Sequence, residues 1–220
     1  KRLTVNGKRG KAMNSILLKT SAPTEKLPVG SSKLLGNPDV WEGFEWPTIL
    51  VDGEEYDLTF MCQINCADAA PFDKDGVLPK TGMLYFFYDL DEMPHEPSNL
   101  DAARVVYFGG DISQLHEMVL TDEDGESIAF AEQKIDFECV EEGYLSDSEP
   151  THLLLGTPSL DFGTWYECID GWQMLLQIDS FETEDAMINF TDEGVLCFYA
   201  DPDKIKKLDF SDVRIMQIYS

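Results

Sequence analysis

The hydrophobic residues of this chain fall into short blocks with the two-residue period of β-strands, and one pair of blocks occurs twice. The first pair spans 58–65 and 82–88, and the second spans 172–179 and 194–200. The apolar residues of the first block are predicted to share one face of a strand, and they are Leu58, Phe60, Cys62 and Ile64. The pattern predicts a protein built mainly from β-strands.

Weaker blocks predict the remaining elements. Helical turns are expected at 67–70 and at 201–208, where Asp201 is a suitable N-cap. The pair Asp52-Gly53 favours a tight hairpin turn. The other predicted strands are 15–20, 104–108, one or two within 128–140, and 213–219.

Four short matches, in the same order, relate the two halves of the chain. They pair Leu35-Gly36-x-Pro38 with Leu155-Gly156-x-Pro158, Gln63-Ile64-Asn65 with Gln177-Ile178-Asp179, Gly82-x-Leu-x-Phe with Gly194-x-Leu-x-Phe, and Arg104-Val-Val with Arg214-Ile-Met. The offset falls steadily from 120 to 110 residues, as expected if the second copy has shorter connections. We interpret the matches as an internal duplication.

The predicted fold class is therefore α+β but mostly β, with short helices. We expect a single compact domain over 1–220, built from two related β-rich halves at about 33–110 and 152–220. An acidic insert, 111–151, is expected to hang from the junction between the halves. Each half has too few strands to bury its own apolar face, so the halves are expected to pack together.

Several motifs resemble the YwqG-like family, a group of bacterial proteins described as a domain of unknown function. They are Leu27-Pro-Val-Gly-Ser-Ser-Lys33 before Leu35-Gly36-x-Pro38, Phe60-x-x-Gln63-Ile64-Asn65, Leu78-Pro79-x-x-Gly82-x-Leu84-Tyr85-Phe86-Phe87-Tyr88, His152-x-Leu-Leu-Gly156-x-Pro158 and Leu175-Leu-Gln-Ile-Asp179. The resemblance covers roughly 20–220. It implies a single α+β domain with an internal duplication, and it implies no activity, cofactor or catalytic residue.

The charge of the chain is strongly negative and uneven. The net charge is −26, but residues 1–33 carry +7 and the remaining 187 residues carry −33. A body this acidic repels nucleic-acid phosphates, so we expect no nucleic-acid binding. It attracts basic partners, and the alternative is that the charge serves solubility alone.

The cysteines and the apolar runs bear on where the protein works. The cysteine count is five, which is odd, and no Cys-x-x-Cys pair occurs. An extracellular disulfide framework would favour an even count at regular spacings, so we predict a reduced, cytoplasmic protein. No apolar run approaches the roughly 20 residues that span a bilayer, so we expect no membrane insertion.

Four residues are candidates for ligand binding. Gln63 and Gln177 occupy equivalent positions beside apolar strand residues. The alternative is that each amide ties down the backbone of a neighbouring loop. Trp41 and Trp165 are candidates for lining a groove between the halves, and the alternative is that they pack into the core.

No catalytic or metal-binding constellation is evident. The histidines, His95, His116 and His152, lack the spacing of metal ligands. The segments 73–76 and 122–125 resemble calcium loops but lack the remaining ligands, so turns explain them better. We predict no metal and no cofactor, and the catalytic residues, if any, stay unassigned.

The leading functional hypothesis is a non-enzymatic, acidic interaction protein. It would bind a basic protein partner through 111–150, in the manner of an immunity or regulatory factor. The alternative is a small-molecule or carbohydrate-binding module, or an uncharacterised enzyme, with its site between the two halves. The sequence does not predict the oligomeric state.

Overall fold

A computed structural model describes residues 15–160 and 167–219. The candidate Trp165 therefore lies outside the described residues. The strands are β1 (Ser15–Ser21), β2 (Lys33–Leu34), β3 (Asp39–Val40), β4 (Thr48–Val51), β5 (Glu54–Asp57), β6 (Thr59–Asn65), β7 (Met83–Tyr88), β8 (Ala103–Phe108), β9 (His116–Glu117), β10 (Gln133–Val140), β11 (Leu153–Leu154), β12 (Gln173–Asp179), β13 (Phe181–Glu182), β14 (Met187–Ile188), β15 (Val195–Ala200) and β16 (Val213–Ile218). The short helices are α1 (Cys66–Ala69), α2 (Pro202–Ile205) and the 3₁₀ turns Ile112–Gln114 and Glu167–Ile169.

The predicted mostly-β architecture is confirmed. Both members of each repeated strand pair form, as β6 with β7 and as β12 with β15. The Asp52-Gly53 turn joins β4 to β5, and Asp201 caps α2 by accepting a hydrogen bond from the backbone of Asp203. The tight turn and the cap were predictable because both depend on residues adjacent in the chain.

Ten of the strands form one antiparallel sheet in the order β16-β15-β12-β11-β1-β10-β2-β6-β7-β8. The middle of the sheet is the pair β1–β10, in which all seven residues of β1 are aligned with β10. Part of the segment 111–151 is thus a central strand. The expectation that this whole segment hangs from the junction is wrong for β10, because β1 needs a partner on the side away from β11.

The sheet curls until its two edges nearly close. The Gln217 amide of β16 donates a hydrogen bond to the Tyr88 hydroxyl of β7, at 2.8 Å. Inside the curl, Phe86 and Phe198 meet edge to face with their ring centroids 5.4 Å apart, although seven places separate their strands in the sheet order. The main hydrophobic core is therefore enclosed by the curved sheet.

A β-bulge changes the predicted facing of β6. The register with β7 shifts between Phe60 and Cys62, so Met61 joins Cys62 in the enclosed core while Phe60 belongs to an outer cluster. The prediction that Leu58, Phe60, Cys62 and Ile64 share one face is wrong, because the bulge resets the alternation. β12 has a corresponding shift between Met174 and Leu176.

Two further apolar clusters cover the outer side of the sheet. One contains Phe60, Tyr85 and Phe87 under Trp41, Phe44 and Trp46. The other contains Leu153, Met174 and Cys197 with Trp172 packed against them. All six residues of β7 are buried, so this strand is covered on both faces.

Candidate functional site

The Gln63 side chain fastens a loop to the outer face of the sheet. Its Oε1 accepts a hydrogen bond from the backbone N of Asp39 at 2.8 Å. Its Nε2 donates to the Ser31 carbonyl and to Asp39 Oδ2, both at 2.7 Å. Both amide hydrogens are thus used within the protein, as the structural alternative requires, and a ligand contact by Gln63 stays a prediction.

Gln177 makes a matching set of contacts in the second half. Its Oε1 accepts from the backbone N of Ser159 at 2.9 Å. Its Nε2 donates to the Thr151 carbonyl at 2.6 Å and to Ser159 Oγ at 2.8 Å. Gln177 is completely buried, so its amide is committed to holding the loop that contains Ser159.

The first network contains a buried ion cluster, and the described residues of the second network show no counterpart to it. The Lys33 Nζ lies 3.5 Å from both Asp39 Oδ1 and Glu132 Oε2, and the side chains of Lys33 and Asp39 are 3% and 2% exposed. Asp39 Oδ2 also accepts from the Gly30 backbone at 2.9 Å. This cluster is not evident from the sequence, because Lys and Asp are ordinarily surface residues and nothing local marks them as buried.

The equivalent positions of the second network are uncharged. Lys33 is aligned with Gln63 across β2 and β6, and Leu153 is aligned in the same way with Gln177 across β11 and β12. Ser159 stands where the first network has Asp39, since each supplies the group that the Gln amide binds. The two halves therefore share a hydrogen-bonding pattern but differ in charge.

Trp41 packs against the outer cluster of the first half. Its ring stacks on Phe108 with centroids 4.8 Å apart and meets Phe44 edge to face at 5.0 Å. Trp41 is half-buried, so it covers the sheet as the packing alternative expects. A contact of Trp41 with a ligand stays a prediction.

The candidate glutamines are not brought together. Gln63 lies on β6 and Gln177 on β12, and the strands β2, β10, β1 and β11 separate them in the sheet. At the junction of the two halves β1 and β10 are directly paired, so the sheet is continuous there. Each glutamine serves its own half of the fold.

A groove of about 460 Å³ opens elsewhere, beside the start of β6. Gln63, Gln177 and Trp41 do not line it. Its apolar lining includes Trp46, Leu58, Phe60, Val119, Ile128 and Phe130. Trp46 is held in place because its indole N–H donates to the Leu58 carbonyl at 2.9 Å.

One wall of the groove is the segment 118–130, which we call the flap hairpin. Its arms are linked by a hydrogen bond from the Ile128 backbone N to the Leu120 carbonyl, at 3.0 Å. The Leu120 N also donates to Asn37 Oδ1 at 2.9 Å, which fastens the flap hairpin to the loop after β2. At its tip, Asp122 Oδ1 accepts from the backbone of Asp124 and Glu126 and so shapes the turn.

The two hairpins that contribute to the groove carry exposed carboxylates. The flap hairpin carries four exposed ones, Asp122, Glu123, Asp124 and Glu126. The β4–β5 hairpin, which contributes Asp57 to the lining, carries four more, Asp52, Glu54, Glu55 and Asp57. Neither hairpin contains Lys or Arg. The groove therefore combines an apolar floor with negatively charged surroundings.

A family model for a domain of unknown function (DUF1963) matches residues 32–217. The chain belongs to this family. The match includes Gln63, Gln177 and both walls of the groove. No curated protein matches the chain.

Three buried thiols of this DUF1963 domain, Cys62, Cys66 and Cys197, are poorly suited to nucleophilic chemistry. Burial raises the pKa of Cys66 to about 12 and raises the pKa of Cys62 and Cys197 still further. These thiols therefore stay protonated at neutral pH, and a protonated thiol is a weak nucleophile. Their positions inside β6 and β15 and at the start of α1 fit a packing role.

Within the described ranges of the DUF1963 domain, no three His, Cys, Asp or Glu residues are grouped so that they could hold a metal ion. Over the same ranges no helix has the length and apolar character needed to cross a bilayer.

Proposed function

We propose that this DUF1963 domain is a non-enzymatic binding protein for a basic protein partner, which docks at the flap hairpin and the β4–β5 hairpin. One observation carries the proposal: two hairpins that contribute to the same groove expose eight carboxylates and contain no Lys or Arg. Carboxylates arranged in this way attract Lys and Arg side chains and accelerate their encounter with the surface.

The rest of the acidic body supports the same partner. Several of its cations are already paired within the chain, such as Arg104 with Asp101 and Lys206 with Asp203, each at 2.8 Å. Among the described residues, no ion pair involves the hairpin carboxylates. Within that part of the chain, a basic partner therefore meets carboxylates that are not already paired with a cation.

The test measures binding of a fluorescent Lys- and Arg-rich peptide by anisotropy at increasing salt. We expect the affinity of the wild-type domain to fall about tenfold or more between low and high salt, because screening shortens the reach of exposed charges. A variant with Glu54→Gln, Glu55→Gln, Glu123→Gln and Glu126→Gln should bind roughly tenfold more weakly at low salt, at a few tenths of a kcal/mol per exposed pair.

A matched control separates this site from net charge. It replaces four exposed glutamates outside both hairpins by glutamine, and these are Glu92, Glu141, Glu142 and Glu184. Both variants lose the same charge, so the control should retain most of the wild-type affinity. Equal weakening of the two variants, or no binding at low salt, would refute the proposed site.

We also propose that the fold arose by internal duplication and that the chain is a YwqG-like member of its family. The support is the reflected strand order about β1–β10, the two matching Gln networks, and the left-handed pairs Leu35-Gly36 and Leu155-Gly156. In an experimental structure, the segments 33–108 and 153–218 should superpose strand for strand. Failure to do so would contradict the duplication.

We infer in addition a bacterial, cytoplasmic protein. The bacterial origin rests on the YwqG-like resemblance. The location rests on the cysteines, which are all free thiols in the described residues and of which Cys62, Cys66 and Cys197 are buried. Fractionation of the source cells that recovered the chain outside the cytoplasm would contradict the location.

A further inference from the structure

The walls of the groove leave apolar side chains in water. Val119 is 57% exposed and Ile128 is 58% exposed, although both line the groove. They stand on opposite arms of the flap hairpin, close to the hydrogen bond between Ile128 and Leu120. Apolar side chains gathered in a concave site and rimmed by polar residues are typical of an interaction surface.

The floor of the groove is already formed. Leu58 and Phe60 are 1% and 3% exposed, and Trp46 is fixed by its bond to the Leu58 carbonyl. The flap hairpin is anchored to the loop after β2 by Asn37. An occupant therefore meets a largely preorganised surface and loses little free energy in ordering it.

The size of the groove limits its occupant. One turn of an α-helix with its side chains fills roughly 400–600 Å³, given a diameter of 10–12 Å and a pitch of 5.4 Å. The groove, at about 460 Å³, has space for about one such turn. It fits one or two bulky apolar side chains better than the whole face of a long helix.

The negative charge of the two hairpins indicates which residues should flank the apolar part of the occupant. The two hairpins that contribute to the groove carry exposed carboxylates, among them Glu54 and Glu55 on one hairpin and Glu123 and Glu126 on the other, and Asp57 lines the groove itself. A purely apolar segment would leave these carboxylates without a partner. A segment with basic residues beside its apolar ones would complement both parts of the surface.

We propose that the groove binds a short apolar anchor of the partner protein, one or two aliphatic or aromatic side chains flanked by Lys or Arg. This inference rests on the proposed function, because it names the segment that the acidic hairpins receive. The apolar side chains enter between Val119, Ile128 and Trp46, and the flanking cations lie against the hairpin carboxylates.

The test compares two peptides of equal charge. One has Leu-Trp-Leu between Lys-Arg pairs, and the other has Ser-Ser-Ser in the same place. We expect the wild-type domain to bind the apolar peptide at least about tenfold more tightly, because each buried aliphatic or aromatic side chain contributes favourable transfer free energy. The Val119→Ser, Ile128→Ser double variant should lose most of this preference and keep the salt-dependent binding of the serine peptide.

The double variant should fold, since both side chains are more than half exposed. Its matched control is Leu100→Ser with Met187→Ser, which removes two exposed apolar side chains outside the groove, 56% and 73% exposed. The control should keep the wild-type preference, and circular dichroism checks that both variants are folded.

The outcomes distinguish the two proposals. If the wild-type domain binds both peptides equally, the apolar anchor is refuted and the acidic binding surface survives. If neither peptide binds at low salt, both are refuted. Tighter peptide binding after removal of residues 1–14 would assign the groove to the chain's own basic segment, and concentration-dependent self-association would assign it to a second copy. Either result overturns the assignment to a partner.

Discussion

His152 gives the fold a sensitivity to acid that can be measured. Its side chain is 1% exposed, and its Nδ1 accepts a hydrogen bond from the backbone N of Asp179 at 3.1 Å. The ring also meets Phe181 edge to face at 5.2 Å. Since Nδ1 accepts, the proton of the neutral ring is on Nε2, which has no hydrogen-bonding partner among the described residues. Burial lowers the pKa of His152 from 6.5 to about 4.

The sign and size of the effect follow from this pKa. The folded state holds His152 neutral, whereas the unfolded chain takes up a proton near pH 6.5. The unfolding free energy therefore has its full value above pH 6.5. It decreases as the pH falls from 6.5 towards 4, because over this range the unfolded chain binds a proton at His152 and the folded chain does not. The change from 6.5 to about 4 corresponds to about 3 kcal/mol of unfolding free energy, and roughly 2 kcal/mol of it is lost by pH 5.

The assay is urea unfolding at a series of pH values. His152→Asn places an amide oxygen where Nδ1 accepts from Asp179, and Asn does not titrate. We expect the wild-type chain to lose about 2 kcal/mol more than this variant between neutral pH and pH 5. Burial raises the pKa of Asp179, which acts in the opposite direction near its own titration, so the comparison is made above pH 5.

Two controls show whether the effect belongs to this histidine. His95 and His116 are both exposed, so His95→Asn and His116→Asn should keep the wild-type dependence on pH. The absolute stability of His152→Asn is not the readout, because any substitution in the core changes it. The reasoning is refuted if His152→Asn loses as much stability between neutral pH and pH 5 as the wild-type chain.

The other predictions concern the ion cluster and a close backbone contact. Lys33→Met should lower the unfolding free energy by about 3–5 kcal/mol, because Asp39 would stay buried without its cation, whereas Lys33→Leu with Asp39→Ser should recover most of it. Thermal unfolding of the single and double variants measures this, and equal losses would contradict it. Gly82→Ala should cost about 2–5 kcal/mol, since its Cβ would lie 2.2 Å from the Phe108 carbonyl oxygen. Gly43→Ala, which has a similar positive φ but open space, should cost only about 1–2 kcal/mol in the same denaturant titration.

The strands were predictable because their signal is local. The two-residue period and the fully apolar blocks identify β6, β7, β12 and β15, and adjacent residues determine the β4–β5 turn. The bulge at Met61 was not predictable, because it depends on how β6 packs between β2 and β7. The central place of β10 was hidden for a related reason, since an acidic strand with one apolar face looks like a solvated segment until its partners are known.

The candidate sites also have one part that could be predicted from the sequence and one part that could not. The equivalence of Gln63 and Gln177 could be read from the sequence, and their contacts match closely. The buried charges that distinguish the first network from the second could not be read from the sequence. Lys33 and Asp39 come together only after β2 and the following loop are folded against β6. The groove was missed since Val119 and Ile128 lie in the segment whose acidic residues dominate its composition.

The central position of β1 has a consequence for how the protein is made. Ile16 is aligned with Cys139 on one side and with Leu154 on the other, so both partner strands are synthesised more than a hundred residues later. At an elongation rate of 5–20 residues per second, β1 waits roughly 6–30 seconds on the ribosome before either neighbour can pair with it. During that interval the apolar run Ile16-Leu17-Leu18 has no native strand to cover it. The middle of the finished sheet is therefore the part of the nascent chain that depends longest on protection from other chains.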